Sequence, residues 1–275
     1  MIKIEEIKQK LTINPDTRKC FIFDLDGTIV FNNEMLSPTN QNILQKIIDY
    51  GHEIIFATGR SYRDFKVVMP KQFHNHKATF FSGALTQDNA GNIRRSVPLP
   101  KAYVEEIMQF CLKHKSFFVI DNVSHYYYPP PEDDAILGIL DSQIIDYRVN
   151  NIDKMLETDI YKILVFDMQL YKNFMEYAKS NNLVVKYHSY DNLFDIMAAK
   201  CNKYQGVLPL LEDFTHNDIF IFGNDFNDYE ILDGFQNSVV FGSIAQLLQI
   251  SKLNIPYDVH QENNFSLIID TILAA

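Results

Sequence analysis

Two aspartates one residue apart, Asp24 and Asp26, close the apolar run Phe21-Ile22-Phe23, and Gly27-Thr28 follow at once. Carboxylates this close repel one another, and a hard, oxygen-seeking cation such as Mg2+ relieves the repulsion. The apolar run reads as a buried strand. In open α/β sheets, ligands sit just beyond the carboxyl ends of such strands, so the pair falls where chemistry is usually done. Taken alone, the motif is more often a plain strand-to-turn junction, because Asp and Gly are ordinary turn residues. An EF-hand calcium loop fails on spacing: it needs glycine at the sixth position, and Gly27 stands at the fourth.

Three other pieces bear on that choice. Ala57-Thr58-Gly59-Arg60 ends a second apolar run; the Thr58 hydroxyl and a closely approachable Gly59 N–H suit phosphate oxygens, although Thr-Gly by itself is the commoner capped turn. Asp218–Phe222 runs into Gly223-Asn224-Asp225-Phe226-Asn227-Asp228. Alone this is ambiguous with a solvated Asn/Asp turn, but two acidic strand ends in one sheet favour a divalent metal site. Finally, Lys200-Cys201-Asn202-Lys203-Tyr204 leads into a helical pattern carried by Val207, Leu208, Leu210, Leu211 and Phe214, with Lys203 the first candidate and Lys200 the runner-up. A lysine there offers a point charge to a phosphoryl oxygen.

The elements that must position these residues alternate between short apolar strands and helical patterns, which predicts a parallel sheet covered on both faces. The strands expected are Cys20–Phe23, Glu53–Ala57, Thr79–Phe81 and Asp218–Phe222. A helix is expected over Pro38–Tyr50, capped by Ser37 or Thr39 and stopped at Gly51. The run Gln87–Asn92 reads as a hairpin tip. Beyond it, helices near Tyr103–Lys113, Glu132–Leu140 and Tyr171–Ser180 mix with strands at Phe117–Ile120, Tyr161–Phe166 and Leu183–Tyr187. This predicts an α+β block inserted into the parallel-sheet domain, with residues 85–197 as the insert and 1–84 plus 198–275 as the core.

At 275 residues the chain has room for a large core. A net charge of −10 argues against nucleic acid or an anionic membrane as partner, since both demand a basic face. Any phosphate site must therefore carry its own cations. Three scattered cysteines, a mixed, charged N-terminus and no apolar run of membrane-spanning length predict a cytoplasmic protein. His74-Asn75-His76 has no cysteine or acidic partner at ligand spacing and reads as a surface turn. The Tyr126–Pro131 run reads equally as a substrate-facing loop of the insert or as a rigid surface connection. Arg94 and Arg95, following a hairpin tip, read as solvated in preference to contacting a second anionic group of a substrate.

In this order, Asp24-Leu25-Asp26-Gly27-Thr28, Gly51 with Ala57-Thr58-Gly59-Arg60, Ser82-Gly83-Ala84, Asp195-Ile196-Met197 with Lys203, and Gly223 to Asp228 resemble the haloacid dehalogenase superfamily of phosphohydrolases. The likeness spans nearly the whole chain and is closest to the Cof-type branch. It implies a Rossmann-like α/β core with an inserted α/β cap, and Mg2+-dependent hydrolysis of small phosphorylated metabolites, such as sugar phosphates or phosphorylated cofactors. By that resemblance Asp24 is the nucleophile, forming an aspartyl-phosphate, and Asp26 is the acid that becomes the base. Thr58, Gly59, Lys203 and Asn227 hold the phosphoryl group, and Lys203 keeps Asp24 ionised. Asp24, the Asp26 backbone carbonyl and a choice among Asn224, Asp225 and Asp228 hold the metal. Three departures stand out: Asn224 replaces the family's usual Asp, Ser82 its usual Asn, and Pro209 interrupts the helix after Lys203. A phosphotransferase or mutase with the same chemistry, or a weakened phosphometabolite-binding or regulatory protein, is the alternative.

Overall fold

The computed structural model describes residues 2–130, 147–188 and 193–275, so the helix expected near Glu132–Leu140 lies outside the described residues. Strands β1 (Cys20–Phe23), β2 (Glu53–Ala57), β3 (Lys77–Phe80), β4 (Leu85–Gln87) and β5 (Ile93–Ser96) join β11 (Ile219–Gly223), β12 (Asn237–Phe241) and β13 (Leu253–Ile255) in one sheet. Its order is β13-β12-β11-β1-β2-β3-β4-β5. The run from β13 to β3 is parallel, and the β4–β5 hairpin adds antiparallel at the edge. Strand β1 is central because both its faces can be buried. Phe21 and Phe23 stack with Phe220 and Phe222 on one face, where Phe265 closes edge-on. Cys20 and Ile22 lie on the other, against Ile55, Ile221 and Val207. Such two-sided burial is what an unbroken apolar run provides.

Helices α2 (Pro38–Asp49) and α10 (Gln261–Leu273) pack on each other and cover the phenylalanine face. Ser37, rather than Thr39, caps α2 by accepting from the Asn40 N–H. The opposite face is covered by α7 (Lys203–Val207) and α8 (Tyr229–Gly234). Pro209 ends α7 early, in a 3-10 turn over Leu208–Leu210, as a residue lacking an N–H must.

A second, antiparallel sheet has the order β7-β6-β8-β10-β9, from β6 (Phe118–Asp121), β7 (Tyr126–Tyr127), β8 (Lys162–Val165), β9 (Val184–His188) and β10 (Leu193–Met197). Helices α4 (Lys101–Lys113) and α6 (Tyr171–Asn181) pack on one of its faces through Ile107, Phe110 and Phe174, against Ile163 and Phe194. The alternate positions carry Asp121, Lys162, Lys186, His188 and Asp195 on the opposite face, as period-2 strands require.

The sequence reading placed the insert's first edge at residue 85. The pairing differs: β4 and β5 belong to the larger sheet, because Leu85 to Gln87 fold back along β3. We therefore draw the edge of the cap after β5. The hairpin also anchors the helix that carries Lys203. The buried Thr86 hydroxyl donates to the Gly206 carbonyl at 2.8 Å. Thr86→Val leaves that carbonyl without its partner and is expected to lower stability by about 1–2 kcal/mol in urea unfolding.

Candidate active site

From β1 the chain moves to one side through β2 and β3, and later returns on the other side through β11, β12 and β13. The crevice between β1 and β11 is thus a topological switch point, where ligands of open α/β sheets bind. Asp24 leaves the end of β1 with its N–H donating to Phe222 on β11. Thr58 follows β2, Ser82 follows β3 and the Asn224–Asp228 turn follows β11. All but one of the residues expected to do chemistry are gathered by hydrogen bonds or close approach at this edge. Asp225 shares its turn with Asp228.

The centre is a buried lysine between two buried carboxylates. Lys203 Nζ donates to Asp24 Oδ1 at 2.5 Å, to Asp228 Oδ1 at 2.6 Å and to Asn227 Oδ1 at 3.3 Å. An ammonium has three hydrogens, so Lys203 is fully used. It is wholly excluded from solvent, and Asp24 is 5% exposed. Burial works against the Lys203 charge, but Asp228 and Asp24 outweigh it and hold its pKa above the ordinary value. Burial first, and Asp228 next, push the Asp24 carboxyl up to about 7, with Lys203 opposing. With both carboxylates ionised, two anions face one cation in a buried site that screens them poorly.

Asp228 has its second oxygen engaged as well: Oδ2 accepts from the N–H groups of Asn224 and Asp225, at 2.9 and 3.2 Å. The Asp225 side chain accepts from the Phe226 N–H at 2.8 Å, so the turn is closed as a capping box. Asn224 points the other way. Thr28 Oγ1 lies 3.1 Å from Asp24 Oδ2 and 3.3 Å from Asn224 Oδ1, and one hydroxyl hydrogen cannot serve both acceptors. Gly27 makes this approach feasible. Its φ is +79°, and a Cβ there would stand 2.1 Å from the Asn224 amide nitrogen.

Asp26 turns outward, with a side chain 49% exposed. Arg60 grips it bidentately, Nε to Oδ2 at 2.9 Å and Nη2 to Oδ1 at 2.7 Å, while Asn33 accepts a further bond from Arg60. Sequence reasoning quoted Arg60 in its motif without giving it this partner. Thr58 is buried, and its hydroxyl accepts from the Arg60 N–H at 3.0 Å. Ser82 sits beside Gly59 in the left-handed region, φ 48°, with its buried hydroxyl unpartnered among the described residues. From the second sheet Lys162 Nζ reaches the Gly59 carbonyl at 3.1 Å, and His188 Nε2 pairs with Asp195 at 2.8 Å. Burial opposes the His188 charge, but Asp195 outweighs it and raises the pKa.

Among the described residues, no group of three or more His, Cys, Asp or Glu side chains is arranged to hold a metal ion. The oxygens that do converge are of mixed type, from Asp24, Asn224 and Thr28. Three oxygens with one hydrogen among them, beside surplus negative charge, suit a hard cation.

A family model described as haloacid dehalogenase-like hydrolase matches residues 21–255. The chain belongs to that family. An HMP-PP phosphatase from Yersinia enterocolitica is 24% identical over 234 residues, 82% of this chain and 85% of that protein. A haloacid dehalogenase-like hydrolase from B. subtilis shares the fold with a TM-score of 0.74 at 18% identity, covering 92% of this chain and 98% of that one. BT4131, described as a subclass IIB sugar phosphatase, gives 0.73 at 15% identity, over 91% and 96%. The protein is accordingly an enzyme of the phosphatase class, with a Rossmann-like core and a cap. Among the described residues, no helix is long and apolar enough to cross a membrane.

A carboxyl raised in the folded state adds stability below its ordinary pKa and loses it as pH rises through the folded value. For Asp24 that window runs from the ordinary 3.8 to about 7. In EDTA-treated protein, Asp24→Asn is expected to melt above wild type at pH 8, with the gap narrowing steadily toward pH 5. A gap independent of pH, measured by differential scanning fluorimetry, would show that the buried charge is not its cause.

Proposed function

We propose that the protein is a Mg2+-dependent phosphatase of small phosphorylated metabolites, working through an aspartyl-phosphate on Asp24. The observation that carries this reading is the buried Asp24–Lys203–Asp228 cluster at the switch point. Lys203 opposes the rise that burial and Asp228 impose on the Asp24 carboxyl, so the group can ionise near neutral pH, and the same lysine lies where it can neutralise an incoming phosphoryl group.

In the proposed reaction an Asp24 oxygen bonds to phosphorus as the ester P–O bond breaks, and Asp26 gives its proton to the leaving alkoxide. Asp26 then takes a proton from water, whose oxygen attacks phosphorus, freeing phosphate and restoring Asp24. Arg60 engages both oxygens of Asp26 in the free protein, so proton transfer requires the pair to release one oxygen, and the exposed side of Asp26 leaves room for it. The Thr58 hydroxyl, the Gly59 backbone and Asn227 complete the phosphoryl pocket, and Lys203 offsets its charge. Mg2+ would be held by Asp24, the Asp26 carbonyl and Asn224, and would supply further charge neutralisation. Asn224 is preferred because its amide oxygen shares Thr28 with Asp24. Both oxygens of Asp228 are spent on Lys203 and two N–H groups, which supports a role in fixing the lysine instead of the ligand role the sequence suggested.

The leaving group would meet the charged face of the cap sheet, with Lys162 and the His188–Asp195 pair nearest the Gly59 turn. Such a face suits a compact polar group. The names of two similar proteins, an HMP-PP phosphatase and a sugar phosphatase, support this reading.

With Mg2+ and a panel of phosphate esters, wild type is expected to release phosphate and to stop on EDTA addition. Asp24→Asn should abolish release, and Thr58→Ala should lower kcat by about 10²-fold, as the loss of one transition-state donor does. Full activity in Asp24→Asn would rule out the aspartyl route.

A further inference from the structure

Asn224 is neutral, and an amide has one end that attracts a cation and one that repels it. What decides which end faces Asp24 is a tyrosine from a distant loop. Tyr257 follows β13 and brings its hydroxyl to the opposite side of the Asn224 amide. The Tyr257 hydroxyl donates to the Gly27 carbonyl at 2.7 Å. A carbonyl only accepts, so the single phenolic hydrogen is committed there. Toward Asn224, the phenol therefore presents lone pairs, and the group that answers it at 3.1 Å is the Nδ2 amide. The amide oxygen is left facing Thr28 and Asp24. Rotated by half a turn, the amide would set oxygen against oxygen at Tyr257 and N–H groups against the cation.

We propose that Tyr257 is a positioning residue for the metal site, acting as a polarity lock that keeps Asn224 presenting oxygen. The fold makes room for it twice over. Gly242, at φ +94°, would place a Cβ 2.8 Å from the Tyr257 ring. Gly27, whose own carbonyl takes the phenolic hydrogen, has no Cβ to collide with the Asn224 amide. One glycine thus supplies both the close approach and the acceptor that orients the phenol. The lock is needed only because residue 224 is an amide; a carboxylate has no wrong end.

This rests on the Mg2+ reading above, and the test separates the two. The readout is the Mg2+ dissociation constant by isothermal titration calorimetry, without substrate, on wild type, Tyr257→Phe, Asn224→Asp and the double variant. Phenylalanine keeps the ring over Gly242 and deletes only the hydroxyl. Melting temperature in EDTA reports whether each variant folds. Tyr257→Phe is expected to weaken Mg2+ binding by about fivefold to tenfold, the range of one net hydrogen bond. In the Asn224→Asp background the same change should alter binding less than twofold. Equal weakening in both backgrounds, or none in the first, overturns the lock and leaves the phosphatase reading standing. Wild type that binds no Mg2+ overturns that reading, and the lock with it.

Discussion

The site depends on a shortage of positive charge. Lys203 has one charge and three hydrogens, and two buried carboxylates compete for them. Removing either acid would leave one cation facing one anion. Keeping both holds the lysine rigidly and leaves Asp24 less than fully satisfied, which is the condition of a group meant to exchange partners. The surplus charge also explains why neutral Asn224 is tolerable beside Asp24. A third carboxylate would add to a repulsion that burial already makes expensive, whereas an amide contributes an oxygen without a charge.

Much of this was legible in the chain. The strands Cys20–Phe23 and Glu53–Ala57 match in full, because a buried parallel strand is an apolar run with abrupt ends. Lys203 rather than Lys200 enters the site; Lys200 lies in a left-handed turn, and its carbonyl takes a bond from Arg95. The features that escaped are those in which a local pattern is silent about a distant partner. Nothing around Leu85–Ser96 says which sheet the hairpin joins, since alternating short strands suit either. Tyr257 lies 33 residues from Asn224 in a stretch without periodicity, and one tyrosine among the 15 in the chain carries no local mark of its partner. The Arg60–Asp26 grip was hidden for the opposite reason: both residues stood in plain view, in separate motifs that were read for phosphate and for metal.

Backbone geometry at the end of β3 tells a related story. Phe81 and Ser82 both take left-handed φ, 49° and 48°, which is unusual for a bulky aromatic residue. Ring stacking of Phe81 on Tyr161 and the bonds from the Phe81 and Ser82 N–H groups to Arg60 and Thr58 hold the turn in place. Strain of this kind persists where the surroundings over-determine it. Here it carries the Ser82 hydroxyl, buried and unpartnered among the described residues, to the side of Gly59. The turn after β2 and the turn after β3 are therefore built as one unit, each supplying the other's hydrogen-bond acceptors or donors.

The cap sheet divides its labour by the pleat. Ile163, Phe194 and Ile196 hold α4 and α6, while their neighbours Lys162 and Asp195 look toward the core. The two sets lie on opposite faces of the same strands, so a change in the charged set need not repack the apolar one. On the function proposed above, a lineage could drift from one phosphorylated compound to another by changing every second residue of a few strands, without redrawing the fold that carries them.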